Sequence, residues 1–110
     1  MTIKRTHKIF QKNFLKKNKH LKILDLGCTH VNYWEEANHF ADIVDYSDEF
    51  SKKKLKFTLI HPNQKLPFKD KEFDYVILSH VIEHVPNIKE FTEEIERIAK
   101  AGYIELPTKL

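Results

Sequence analysis

The sequence predicts an α/β sandwich built on a mainly parallel five-stranded sheet, and three observations predict it. Short apolar runs bounded by polar residues recur along the chain, as strands buried on both faces require. Helix-compatible segments alternate with them, which favours right-handed crossovers between parallel strands over hairpins. One of those segments, 87–101, carries a clear helical repeat. At 110 residues the chain has room for one core and for no second domain.

Residues 1–20 read as a basic helical arm, and 21–110 as the rest of a single globular domain. Lys4, Arg5, Lys8, Lys12, Lys16, Lys17, Lys19 and Lys22 fall within residues 1–22 without one acid, giving that stretch +8 against −5 for the remainder. With Ile9, Phe10, Phe14 and Leu15 it resembles an amphipathic helix, whose basic face suits either plain solvation or an anionic partner such as nucleic acid. No aromatic residues interleave the charges to stack on bases. Leu21–Leu26 is the first strand and runs into Gly27; 41–45 (ADIVD), after a polar stretch, is the second and ends in an acid. Leu55–Ile60 gives the third strand and Phe73–Ser79 the fourth. In the following helix Ile88, Phe91, Ile95, Ile98 and Ala99 share one face, while Glu93, Glu94, Glu96 and Arg97 lie largely opposite. Gly102 supplies its stop signal, and Gly102–Leu106 forms a fifth strand halted by Pro107. The arrangement expected is a Rossmann-like three-layer sandwich with strand order 3-2-1-4-5 and a pocket between the first and fourth strands.

Composition narrows the setting. Hydrophobic residues make up 41% and charged residues 32%, an ordinary balance for a globular chain, and no apolar run approaches the roughly 20 residues of a membrane span. The amino terminus lacks the apolar core of a secretory signal, and a lone Cys28 excludes an internal disulfide. A cytoplasmic, reducing location is expected.

From ILDLGC at Ile23–Cys28 through LPFKDKEFDYVILSHVIEHVPN to GYIELPT, the chain resembles the class I S-adenosylmethionine-dependent methyltransferases. The resemblance implies a cofactor-binding turn at Asp25, Gly27, Cys28 and Thr29, whose backbone approaches the methionine and ribose of S-adenosyl-L-methionine. Thr29 and Val31 stand where the family carries further glycines, and His30 and Asn32 are polar residues that could line the pocket instead. Asp45, 18 residues after Gly27, is the implied acceptor for both ribose hydroxyls, a task a carboxylate suits. After the third strand Pro62 occupies the place of the family's adenine-binding acid, which leaves Asn63 as the candidate acceptor. Ser79 and His80 border the methionine portion, and His80 or His84 is the candidate base for a hydroxyl or amine acceptor. Family members generally continue past the fifth strand with a helix and a hairpin, so the chain is expected to be truncated there. That leaves an apolar edge for a second copy or a partner chain to cover.

Two other readings stay open. A non-catalytic interaction module would keep the sheet and lose the cofactor, consistent with Thr29, Val31 and Pro62. The run His80-Val81-Ile82-Glu83-His84 also fits the H-x-x-E-H arrangement of a zinc hydrolase, though within a five-residue pattern only. A dinucleotide site is disfavoured because G-x-G-x-x-G is absent. The methyl acceptor, a small molecule or a nucleic acid, is not specified by any residue.

Overall fold

The computed structural model describes residues 2–4, 8–18, 20–61, 63–79 and 85–105. In chain order it contains β1 (Thr2–Lys4), α1 (Lys8–Lys17), β2 (Ile23–Leu26), β3 (His39–Asp42), α2 (Ser47–Lys52), β4 (Phe57–Leu59), β5 (Phe73–Ser79), α3 (Ile88–Ile98) and β6 (Ala99–Glu105). Every strand pairing is parallel, in the order β1-β6-β5-β2-β3-β4. The series β4-β3-β2-β5-β6 is the five-stranded 3-2-1-4-5 sheet that the sequence predicts.

The centre of the sheet is apolar because both of its faces are covered. In β2 all four residues are buried, and in β5 only Asp74 is not. Successive side chains point to opposite faces. Val76 and Leu78 therefore join Leu24 and Leu26 under α3, while Tyr75 and Ile77 join Ile23 on the α1 face. Helix α3 lays Phe91, Ile95 and Ile98 on the sheet at helical spacing. Helix α1 docks through the buried Gln11 and Leu15, and Gln11 accepts a hydrogen bond from the Tyr75 hydroxyl.

The Leu66-Pro67-Phe68 turn is bolted to α3. Arg97 donates to the carbonyls of Phe68 and Leu66 at 2.8 and 3.0 Å and forks onto Glu94 at 2.8 and 2.9 Å. Glu94 in turn accepts the Leu66 N–H at 2.7 Å, so one planar cation satisfies a turn whose two apolar side chains sit in the core.

Several boundaries depart from the sequence reading. Residues 1–20 are not helical throughout: β1 pairs with β6 at Thr2↔Ala101, Ile3↔Gly102 and Lys4↔Tyr103, so the edge expected to lie open carries a strand of the same chain. Gly102 does not stop the helix. Extended geometry already begins at Ala99 (φ −135°, ψ 150°), and Gly102 sits inside β6. Its role there is steric, since a Cβ at Gly102 would lie 2.8 Å from Val76 Cγ1 and 3.0 Å from the Val76 carbonyl oxygen. The second strand of the sequence reading lies two residues earlier than expected, at His39–Asp42, and the helix on that side of the sheet follows it rather than preceding it.

His39 packs edge-on to Phe68 and Phe73, with Nε2 2.8 Å from Thr58 Oγ1. Burial first, then the nearby Lys56, holds its pKa below the ordinary value. The folded state thus binds a proton there less readily than the unfolded chain, and this contribution is complete above pH about 6.5 and declines as pH falls below it. Thermal midpoints measured between pH 7.5 and 5 should fall with acidity in the unmodified chain and fall less in His39→Gln. Gly102→Ala should destabilise the fold by about 1 to 3 kcal/mol in urea unfolding, because a backbone carbonyl cannot swing aside as a side chain can.

Candidate functional site

The strand order reverses between β2 and β5, whose carboxyl ends open the crevice where open parallel sheets bind ligands. Asp25, in β2 beside that crevice, is fully buried. A carboxylate withdrawn from water must find donors inside. The Trp34 N–H reaches Oδ2 at 2.8 Å and the Ser79 hydroxyl reaches Oδ1 at 3.2 Å, so one side chain fastens the β2–β3 loop to the end of β5.

Past β2 the chain turns at Gly27 with φ 88°, a left-handed conformation glycine adopts at little cost, and the Gly27 N–H donates to the Ala41 carbonyl at 2.8 Å. Cys28 follows, buried, with Sγ 3.7 Å from the same carbonyl. Burial, reinforced by the charges of Asp25 and Asp42, pushes the thiol pKa up, so Cys28 stays protonated and acts as packing. Thr29 and Asn32 close a turn on each other: the Thr29 N–H donates to the Asn32 carbonyl at 3.2 Å, and the Asn32 N–H to Thr29 Oγ1 at 2.9 Å. Val31, at the tip, is 79% exposed and lies outside the crevice. The His30 ring stands 5.1 Å from the Tyr46 ring, and its buried Nδ1 has no hydrogen-bond partner among the described residues.

Asp45 lies three residues beyond β3, which ends at Asp42. Its carboxylate is exposed, and Oδ1 accepts the Ser47 N–H at 2.9 Å. The Ser47 hydroxyl and then the Ser47 N–H hold its pKa below the ordinary range, so it presents a charge to solvent. Asn63 is exposed and lines an open cleft of about 310 Å³ between the β4–β5 loop and α3, together with Gln64, Asn87 and Glu90. The Ser79 hydroxyl is turned inward to Asp25. His80, Glu83 and His84 lie outside the described residues. Among the described residues, no group of three or more His, Cys, Asp or Glu side chains could hold a metal ion.

The structure therefore brings Asp25, Gly27, Cys28 and Ser79 together as a rigid wall. Sequence reasoning missed Tyr46 as the partner of His30, and Trp34 as the donor that fixes the loop. The polar neighbours of Asp45 gave no periodic signal that could have singled Tyr46 out.

This sheet and crevice define a doubly wound protein with a ligand site at its strand ends. A family model for a methyltransferase domain matches residues 24–104, and the chain belongs to that family. It is 29% identical over 113 aligned residues to a demethylmenaquinone methyltransferase of Staphylococcus saprophyticus, covering 87% of this chain and 48% of that protein. Its fold resembles the crystal structure of an S-adenosylmethionine-dependent methyltransferase from Aquifex aeolicus, at TM-score 0.57 and 19% identity over 81% of this chain and 58% of the other. It also resembles the methyltransferase CalH in complex with S-adenosylhomocysteine, at TM-score 0.64 and 15% identity over 83% and 32%. The chain thus spans about half or less of the length of the curated relative and of CalH. No helix among the described residues is long and apolar enough to cross a membrane.

Removing the Asp25 carboxylate should leave the Trp34 N–H and the Ser79 hydroxyl unmatched. Urea unfolding of Asp25→Ala should show a loss of roughly 1 to 3 kcal/mol for each donor so orphaned, against about 1 kcal/mol or less for Ser79→Ala.

Proposed function

We propose that this chain binds S-adenosyl-L-methionine in the crevice between β2 and β5 and transfers its methyl group to an O or N acceptor. The observation that carries the reading is the ionised, solvent-facing carboxylate of Asp45 beside the glycine turn, in a chain of the methyltransferase domain family. The residues fit the cofactor on three counts. Gly27 turns without a side chain, Val31 leaves the crevice clear, and an acceptor nitrogen of His30 is buried and unmatched.

When bound, the cofactor supplies a methyl group activated by a sulfonium centre. The protein's contribution is alignment. Asp45 accepts hydrogen bonds from the ribose hydroxyls with its free oxygen, and charge assistance strengthens them. Asp25 keeps the loop in register with β5, and Gly27 allows the backbone close to the ligand. Asn63 is the assigned acceptor on the adenine side, with the backbone at Cys28, Thr29 and Ser79 bordering the remainder. His80 or His84 is assigned the acceptor's proton, as the sequence order at the mouth of β5 suggests.

The acceptor is assigned only as a small molecule or a nucleic acid, the second supported by the cationic amino-terminal stretch. A cytoplasmic location is supported by the unpaired, protonated Cys28. Because β1 covers β6, pairing of this sheet with a second copy would use the outer edge of β1 or of β4.

Titration calorimetry with S-adenosylmethionine tests the reading. The unmodified chain should bind, and Asp45→Ala, an exposed change that leaves the thermal midpoint in place, should bind about tenfold or more weakly. Absence of heat from the unmodified chain would favour the non-catalytic module instead.

A further inference from the structure

We infer that His30 is a cofactor-binding residue of this chain, with Nδ1 accepting a hydrogen bond from a ribose hydroxyl of the nucleoside that Asp45 also holds. The inference rests on the reading under Proposed function and adds to it a residue that the glycine pattern does not contain.

Three features of the β2–β3 loop lead to it. The first is an unmatched atom: His30 Nδ1 is shut off from water and has no hydrogen-bond partner among the described residues. Such groups are rare in folded proteins because each costs about 1 to 3 kcal/mol. The second is that the loop's other polar groups are already committed. The Thr29 N–H and hydroxyl and the Asn32 N–H and carbonyl bond to one another, while the Trp34 N–H is held by Asp25. His30 is the residue whose hydrogen-bonding capacity is left over. The third is placement. The His30 ring packs 5.1 Å from the ring of Tyr46, the residue that follows Asp45, so the glycine turn and the Asp45 carboxylate border the same wall.

The chemistry selects the ligand group. A neutral imidazole with its proton on Nε2 offers Nδ1 as an acceptor, and an acceptor needs a donor. A nucleoside presents two hydroxyl donors on its ribose, and Asp45 has one oxygen already engaged by Ser47. A second acceptor from the opposite side of the turn divides the two hydroxyls between Asp45 and His30. Thr29 and Val31, standing at the positions of the family's glycines, thus accompany a polar side chain brought in beside them.

His30→Phe keeps a ring against Tyr46 and removes the acceptor, and His30→Gln retains an acceptor oxygen. Three readouts follow. In ligand-free thermal unfolding, His30→Phe should match or exceed the unmodified chain, since an orphaned buried nitrogen has been deleted. In calorimetry with S-adenosylhomocysteine, His30→Phe should bind about tenfold more weakly and His30→Gln should recover part of the loss. With the analogue lacking both ribose hydroxyls, the unmodified chain and His30→Phe should bind alike, because the interaction being deleted no longer exists. A His30→Phe chain that binds S-adenosylhomocysteine as the unmodified one does, that unfolds several degrees earlier, or that keeps its deficit with the dideoxy analogue would overturn the inference while leaving Asp45 and the methyltransferase reading intact. Failure of the unmodified chain to bind at all would overturn both.

Discussion

A fully buried carboxylate at the point where the strand order reverses governs the local architecture. Asp25 cannot sit uncompensated in the apolar centre of a sheet, so the chain around it has to deliver donors. It does so from two directions, the Trp34 backbone on the loop side and the Ser79 hydroxyl on the β5 side. The consequence spreads outward through Trp34. Its indole packs edge-on to Tyr103 of β6 at 5.6 Å, and Lys12 of α1 sits 4.8 Å over its ring while pairing with Glu36 at 3.0 Å. Holding one backbone N–H in place therefore also sets where α1 and the neighbouring strand meet the loop.

The amino-terminal stretch is organised by the same sheet. A parallel strand at Thr2–Lys4 lies on β6, and α1 crosses back over the α1 face to start β2. Much of the positive charge that looks unbalanced in the sequence is answered locally. Lys12 pairs with Glu36, Lys22 with Glu72 at 3.3 Å, and Lys100 with Asp74 at 3.2 Å. Exposed pairs of this kind each add little stability, but they neutralise cations that would otherwise face a partner. Lys16 and Lys17 remain exposed and without an ion pair among the described residues.

What the sequence disclosed depends on how strongly burial constrains each segment. β5 is apolar almost throughout and was legible at its full length, 73–79, because both faces are covered. The core face of α3 was legible because Phe91, Ile95 and Ile98 must meet the sheet at helical spacing. β1 was not, since a three-residue edge strand set among lysines carries no period-two signal. Gly102 was read by its usual helix-ending habit, when the operative constraint was a neighbouring strand 2.8 Å from its missing Cβ. In the site, Asp25 and Gly27 could be read from the strand that precedes them, whereas the His30–Tyr46 contact joins residues sixteen apart whose pairing only the fold creates.

The departures at Thr29 and Val31 are intelligible in backbone terms. Extra glycines in such a turn serve either a left-handed φ or a close approach. Here Gly27 alone in the turn has positive φ; among the described non-glycine residues that conformation occurs only at Lys54 and Lys71. Residues 28–34 therefore run through ordinary conformations in which a β-branched residue is unstrained. Val31 projects to solvent and Thr29 turns its hydroxyl onto the Asn32 N–H, so neither side chain has to occupy the space a glycine would leave. The loop has exchanged backbone freedom for a self-bonded turn. What an open glycine turn would gain by letting a ligand approach the main chain, this one has to gain through the side chains it exposes to the crevice.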